Sequence, residues 1–120
     1  WPDIDPLKYH AVGDERVYVA GDARNQPFSK SGNTANTEAH YIAKLILAKI
    51  AGKEVSYEPP RTLCYSAVSR NEAVWIDLTY KYLGGGKFEF ANVRMDEEPK
   101  ESNYKAYIEW AKGLYRDMFS

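Results

Sequence analysis

Two short segments of this 120-residue sequence carry residue types whose spacing suits chemistry. In the first, Val17-Tyr18-Val19-Ala20 predicts a short buried strand that ends at Gly21-Asp22. A carboxylate at the end of a parallel-type strand faces the crevice where such sheets bind ligands, and it can accept hydrogen bonds from sugar or sugar-alcohol hydroxyls. An aspartate that caps a turn gives the same dipeptide, so Gly21-Asp22 alone leaves both interpretations open.

The second segment is the entrance to a predicted helix, where Lys30-Ser31-Gly32 leads into a regular apolar pattern. The apolar residues that fall on one helical face are Ala35, Ala39, Ile42, Ala43, Ile46 and Ile50. Asn33 or Thr34 is expected to cap the first turn, and Gly52 to end the helix. The unpaired N–H groups and partial positive charge of a helix start suit an anion or an electron-rich ring edge. Lys30 adds a positive charge there, and an exposed loop lysine is an equally good interpretation of it.

Cys64 is the only cysteine, and it falls in a predicted strand over Leu63–Ser69. With no second cysteine it has no disulfide partner in these 120 residues. It is therefore either a small buried apolar residue or half of a pair whose partner lies elsewhere. His10 and His40 have no cysteine or histidine near them at the spacing of metal ligands, so no metal site is predicted.

A hairpin and a final helix are predicted after Cys64. Alternation over residues 74–82 indicates a strand, Gly84-Gly85-Gly86 a turn, and residues 87–95 the partner strand, followed by a charged break over 96–100. The last segment predicts an amphipathic helix, with an apolar stripe of Tyr104, Tyr107, Ile108, Ala111, Leu114, Tyr115 and Met118. With residues 1–16 as an extended loop, the predicted fold is α+β: a strand and helix, then a small antiparallel sheet with a C-terminal helix.

Composition narrows the class of protein. A hydrophobic share of 44% argues for a folded domain rather than a disordered chain. The formal net charge is −1 and no basic run is present, so nucleic acid is not an expected partner. The opening Trp1-Pro2-Asp3 is an unusual natural start, which favours a fragment of a longer protein.

Taken together, these segments resemble the second flavin-binding motif of flavoproteins that have two dinucleotide-binding domains. The resemblance lies in residues 17–23, in Ser29-Lys30-Ser31-Gly32-Asn33, and in Ala35-Asn36 at the helix start. Within that superfamily the chain is similar to the flavoprotein subunit of flavocytochrome c sulfide dehydrogenase and its sulfide:quinone relatives. Cys64-Tyr65-Ser66 matches that family's Cys-Tyr-Ser element, and residues 108–119 resemble its closing helix. Thr62-Leu63 stands where the family has Asn-Thr, so the hydrogen bonding there is expected to differ.

The resemblance implies FAD as cofactor. Residues 1–56 would be the C-terminal part of a split FAD-binding domain, and 57–120 the family's C-terminal domain. The implied cofactor-binding residues are Gly21, Asp22, Lys30, Ser31, Gly32, Asn33 and Trp110. Asp22 would bond the ribityl chain, with Gly21 permitting close approach, and the helix start would lie near the pyrimidine end of the isoalloxazine. Core packing is the more usual role of an aromatic such as Trp110.

The resemblance also implies that Cys64 is catalytic. In the family this cysteine forms a redox-active disulfide with a cysteine of the N-terminal portion, and sulfide attacks that disulfide beside the flavin. Electrons then pass to a c-type cytochrome subunit or to a quinone. The cytochrome branch is the closer resemblance, and it implies a periplasmic protein whose activity needs more than this fragment.

Two other classes of function stay open. One is a fragment of another pyridine nucleotide-disulfide-type flavin oxidoreductase, such as an NADH dehydrogenase or a sulfide:quinone reductase, which shares the Gly-Asp motif. The other is a non-catalytic dimerisation or docking module without flavin. If the chain is a fragment, the Val17–Ala20 strand expects neighbours from the absent half, so its exposed edge predicts self-association or a swapped dimer.

Overall fold

Two helices and two antiparallel sheets make up the computed structural model, which describes residues 1–119. The strands are β1 (His10–Ala11), β2 (Asp14–Tyr18), β3 (Arg61–Ala67), β4 (Ala73–Gly84) and β5 (Lys87–Lys100). The helices are α1 (Gly32–Ala51) and α2 (Glu101–Phe119), and a single 3₁₀ turn spans Gly21–Ala23. The α+β fold class predicted from the sequence is confirmed.

The larger sheet has the order β3-β4-β5, and all its neighbours are antiparallel. Three glycines with positive φ turn the chain between β4 and β5, as predicted. The predicted charged break over 96–100 is wrong, because β5 continues through it. Asp96 pairs with Trp75 and Lys100 with Ala73, so the long strand β4 has a partner along most of its length. Backbone pairing outweighs the low strand preference of these charged residues.

The N-terminal segment differs most from its prediction. Residues 1–16 are not all loop, since β1 pairs antiparallel with β2 and Ile4 bridges Ala11. The predicted buried strand Val17–Ala20 is only partly right: β2 begins at Asp14 and ends at Tyr18, so Val19 and Ala20 lie outside it, and Val17 is 50% exposed. Gly21-Asp22 therefore follows an antiparallel strand of a two-stranded sheet rather than a strand of parallel type.

Helix α1 has the predicted extent but a different cap and a different buried face. Ser31 is the N-cap, since its Oγ accepts a hydrogen bond from Thr34 N at 3.2 Å, and Gly52 ends the helix at φ 64°. The buried residues of α1 are Thr34, Glu38, Tyr41 and Ile42. The predicted apolar stripe faces outward over much of its length, and Ile50 is 79% exposed. Tyr41 rather than Ile50 faces the core because the N-terminal segment packs on that side of α1.

Two clusters of buried side chains hold the elements together. One is Tyr9, Tyr41 and Ile42, with Tyr18, Ala20, Leu45, Val55 and Tyr57 around them. The other is Phe28, Leu78 and Tyr80, and it packs residues 24–29 against one face of the larger sheet. Helix α2 covers the opposite face, where Tyr65 of β3 contacts Tyr107 and Trp110. Neither helix of residues 1–119 combines the length and apolar character needed to cross a membrane.

Candidate functional site

The predicted Gly21-Asp22 element is a tight turn against the first turn of α1. Gly21 is buried at φ 66°, and a Cβ at this position would lie 3.1 Å from the Cβ of Ala35. Only glycine combines that backbone conformation with so close an approach. Asp22 is exposed, and its carbonyl oxygen accepts hydrogen bonds from Lys30 Nζ at 2.5 Å and Trp1 Nε1 at 2.8 Å. Its side chain is thus presented on the surface beside α1.

The entrance to α1 lies next to that turn. Lys30 reaches back to the carbonyl of Asp22, and its ammonium group also lies 4.4 Å from the centre of the Trp1 ring. Lys30 is therefore exposed, but unlike a free loop lysine it has contacts that hold its side chain in place. Gly32 and Asn33 are the first two residues of the helix, where backbone N–H groups point out of the helix end. The structure brings the Asp22 backbone, Lys30 and the helix start together.

Cys64 lies on the strand that runs beside this helix start. Asn33 Oδ1 accepts a hydrogen bond from the backbone N–H of Leu63 at 2.8 Å, one residue before Cys64. The Cys64 thiol is free and half-buried. Because side chains alternate along a strand, Cys64 shares a face of β3 with Thr62, opposite Ile76 of β4.

The Thr62-Leu63 segment makes hydrogen bonds of its own. The Thr62 hydroxyl is buried and lies 2.7 Å from the hydroxyl of Thr34 and 3.3 Å from that of Tyr80. The Thr34 hydroxyl in turn lies 2.8 Å from that of the cap residue Ser31. This chain of hydroxyls connects the helix entrance to the strand of Cys64.

The structure separates Trp110 from the Cys64 side of the sheet. Trp110 packs on Tyr65, which points to the α2 face of β3, whereas Cys64 points to the other face. Trp110 and Asn33 both line a cavity of about 390 Å³, together with Arg61, Leu63 and Asp117. The indole N–H of Trp110 is buried and has no hydrogen-bond partner among the described residues. Trp110 and Asn33 therefore share one space, while Cys64 and Trp110 do not share a face.

A buried ion pair, which the sequence did not reveal, lies under the turn. Arg24 and Glu38 are both fully buried and paired. Glu38 also accepts the backbone N–H of Gly21 at 2.7 Å. Burial raises the pKa of Glu38 above its ordinary value, and the Gly21 N–H and the Arg24 guanidinium oppose part of that rise. Glu38 lies in a helix whose pattern predicted apolar contacts. Its burial could not be predicted, because glutamate is usually exposed.

A second cavity, of about 480 Å³, lies away from these residues. It is formed between the N-terminal segment and the C-terminal half of α1, with walls that include Leu7, Tyr18, Leu45 and Val55. None of the predicted site residues lines it. Within residues 1–119, no group of three or more histidine, cysteine, aspartate or glutamate side chains is arranged to hold a metal ion.

The groups around the turn can accept hydrogen bonds from hydroxyls and attract an anion. Asp22 offers an exposed carboxylate for polyol hydroxyls, and the helix start with Lys30 offers N–H groups and positive charge for an anionic ring edge. Gly21 lets the turn pack directly against Ala35 at the start of the helix. No known family model matches this chain, and no curated protein matches it either.

Proposed function

We propose that this chain is the C-terminal part of an FAD-dependent sulfide dehydrogenase. The observation that carries the proposal is the contact between the Gly21-Asp22 turn and the entrance to α1, with Lys30 Nζ 2.5 Å from the carbonyl of Asp22. A flavin needs both features at once, because its ribityl hydroxyls and its ring edge lie a few atoms apart. Neither the dipeptide nor the helix start would suffice alone.

Each residue of the turn has a defined role in this proposal. The exposed carboxylate of Asp22 accepts hydrogen bonds from ribityl hydroxyls. The N–H groups of Gly32 and Asn33 face the ring edge, and Ser31 caps the helix that carries them. Bound FAD supplies the two-electron acceptor. The positive end of α1 and the charge of Lys30 favour the negative charge that the reduced ring carries.

Cys64 supplies the thiol chemistry. In the resting protein it forms a disulfide with a cysteine outside these 120 residues. Hydrosulfide attacks one sulfur of that disulfide, so the S–S bond breaks, a persulfide forms on the attacked cysteine, and the other leaves as a thiolate. The thiolate holds the electron pair released from the broken bond. The half-buried position of Cys64 next to the Asn33–Leu63 hydrogen bond favours a thiol held close to the helix start.

The electron acceptor in this proposal is a c-type cytochrome subunit, with a quinone as the second candidate. The cytochrome assignment rests on the Cys64-Tyr65-Ser66 element and the closing helix. A periplasmic location belongs to the same proposal. Sulfide is the substrate, and the product is elemental sulfur or a polysulfide.

The test uses the full-length protein and its Cys64→Ser variant. Purified protein is expected to carry FAD, seen as flavin absorbance, and to reduce it when sulfide is added without oxygen. Cys64→Ser is expected to keep the flavin and lose sulfide-dependent reduction by about a hundredfold or more, because the redox disulfide cannot form. Ser66→Ala is the matched control, since Ser66 is exposed on the same strand face and offers no thiol. It is expected to behave like wild type.

The outcomes separate the alternatives. Full sulfide-dependent reduction by Cys64→Ser would favour another flavin oxidoreductase, such as an NADH dehydrogenase. Absence of FAD from the full-length protein would favour the docking or dimerisation module. A specific observation supports that module as the second candidate: Leu47 and Ile50 of α1 and Met95 of β5 are large apolar side chains on the surface.

A further inference from the structure

The Gly21-Asp22 turn is bonded on its buried side to the ion pair between Arg24 and Glu38. Both side chains are 0% exposed. A buried pair of this kind contributes little net stability, because the cost of removing both charges from water offsets most of their attraction. Its presence under an exposed turn is better explained by what its hydrogen bonds hold in place.

Glu38 ties the turn to helix α1. One carboxylate oxygen accepts the Gly21 N–H at 2.7 Å. The other pairs with Arg24 and lies 3.4 Å from the hydroxyl of Tyr9, which donates to it. Since Glu38 is fixed on α1, the position of Gly21 relative to the helix is fixed as well.

Arg24 ties the rest of the loop to the same pair. Its guanidinium donates to the carbonyl oxygens of Gln26 at 3.0 Å and Ser29 at 3.1 Å. The planar guanidinium has five donors in fixed directions, so it can hold carbonyl groups of one loop at set angles. The N–H of Ser29 donates to the Tyr80 hydroxyl at 3.0 Å, which anchors the end of the loop on β4. The backbone is thus held at both ends of the stretch that separates Asp22 from Lys30.

We propose that Arg24 and Glu38 are positioning residues, which hold the Asp22 carboxylate and the entrance to α1 in the arrangement that binds flavin. This inference rests on the proposed function, and it assigns neither residue a contact with the cofactor. A turn that is not held must be ordered when the ligand binds, and ordering one residue lowers affinity by about tenfold. The ion pair removes that loss in advance.

The experiment compares stability with affinity in one variant of the full-length protein. Arg24→Met combined with Glu38→Leu replaces the pair by apolar side chains, and it also removes the partners of the Gly21 N–H and of the Gln26 and Ser29 carbonyls. We expect a lower thermal midpoint and, at a temperature where the variant stays folded, a Kd for FAD raised about tenfold or more. In the apoprotein, amide hydrogen exchange at Gly21 is expected to accelerate by a similar factor. Lys44→Met with Glu58→Leu is the matched control, because that pair is exposed and is expected to change neither quantity.

A second variant covers the case in which the double replacement does not fold. Glu38→Gln keeps the shape of the side chain and an acceptor for Gly21, but it removes the charge that pairs with Arg24. We expect weaker FAD binding here as well. Unchanged FAD affinity in the folded variants would overturn the inference and leave the proposed function standing. Absence of FAD binding by the wild-type protein would overturn the proposed function itself, and unchanged Gly21 exchange would show that the pair does not hold the turn.

Discussion

Asn33 and Leu63 join the helix start to the strand of Cys64: the Asn33 side-chain oxygen accepts the backbone N–H of Leu63 at 2.8 Å. The two residues are 30 positions apart, and each belongs to a different half of the predicted site. Without this bond, the edge strand β3 would have an N–H group without a partner at that point. Asn33 therefore has a structural task in addition to its place at the helix start.

Replacing Asn33 by alanine is the first test. Asn33→Ala removes the acceptor and leaves a partly buried N–H of Leu63 without a protein partner. The free energy of unfolding is expected to fall by about 1 to 2 kcal/mol, measured by urea denaturation. Asn33→Asp keeps the acceptor and places a negative charge near the positive end of α1, so it is expected to unfold like wild type or at higher urea. Equal losses in both variants would mean that the hydrogen bond is not the cause.

The close approach of Gly21 to α1 gives the second test. Gly21→Ala forces an alanine into positive φ and also brings its Cβ to 3.1 Å from Ala35. Gly52 has nearly the same φ, 64°, but open space around it, so Gly52→Ala measures the backbone strain alone. Gly52→Ala is expected to cost about 1 kcal/mol and Gly21→Ala about 1 kcal/mol more.

Ala35→Gly in the Gly21→Ala background isolates the steric part of that difference. Ala35→Gly removes the Cβ that the new methyl group meets. In urea denaturation, the double variant is therefore expected to exceed the destabilisation of Gly52→Ala by less than Gly21→Ala alone does. The glycine introduced in the first turn of α1 has its own cost, which Ala35→Gly alone measures. No recovery after that correction would contradict the steric explanation.

The sequence predicted the features that short-range chemistry decides. Gly52 ends α1, three glycines turn the chain between β4 and β5, and the final helix is amphipathic, because each of these depends on neighbouring residues alone. The strand boundaries near residues 96–100 were missed. Their pairing depends on the length of β4, which lies more than ten residues away along the chain.

The orientation of α1 and the ion pair beneath the turn could not be predicted. The stripe from Ala35 to Ile50 is apolar, but the chain packs Tyr41 inward and leaves Ile50 outside, because Tyr9 and Tyr57 offer aromatic partners on that side. Glu38 is buried with Arg24, and neither residue type suggests burial on its own. The sequence indicated Gly21-Asp22 and Lys30 through motif resemblance, but their contact depends on the tertiary structure.

Asp77 gives the third prediction, which concerns pH. It is buried under Arg61, whose guanidinium donates at 2.8 and 2.9 Å, and under Arg94. These hydrogen bonds lower the pKa of Asp77 below its ordinary value. The unfolded chain therefore binds the proton more tightly than the folded one. The stabilisation is complete above the unfolded pKa of about 3.9 and is lost as pH falls through the lower folded pKa.

Asp77→Asn is expected to lower the free energy of unfolding by about 1 to 2 kcal/mol at pH 7 and by less at pH 3, where wild-type Asp77 begins to take up its proton. Both arginines are half-exposed, so water can replace the lost partner and limit the cost. Asp14→Asn is the control, since the Asp14–Arg16 pair is on the surface, and no measurable change is expected. A loss that stays the same from pH 3 to pH 7 would contradict the electrostatic explanation.

The exposed apolar side of α1 gives the last prediction. Leu47 and Ile50 are 67% and 79% exposed on the part of α1 that the other described elements leave uncovered, and β2 has a single neighbour in its sheet. Burying such side chains is favourable by about 1.5 to 3 kcal/mol each, so the 120-residue chain is expected to self-associate when produced alone. Sedimentation velocity at rising concentration should show a dimer or larger species. Leu47→Lys with Ile50→Lys should shift it to monomer, whereas Lys53→Glu, a charge change just beyond the helix, should not. A monomer at every concentration would contradict this prediction.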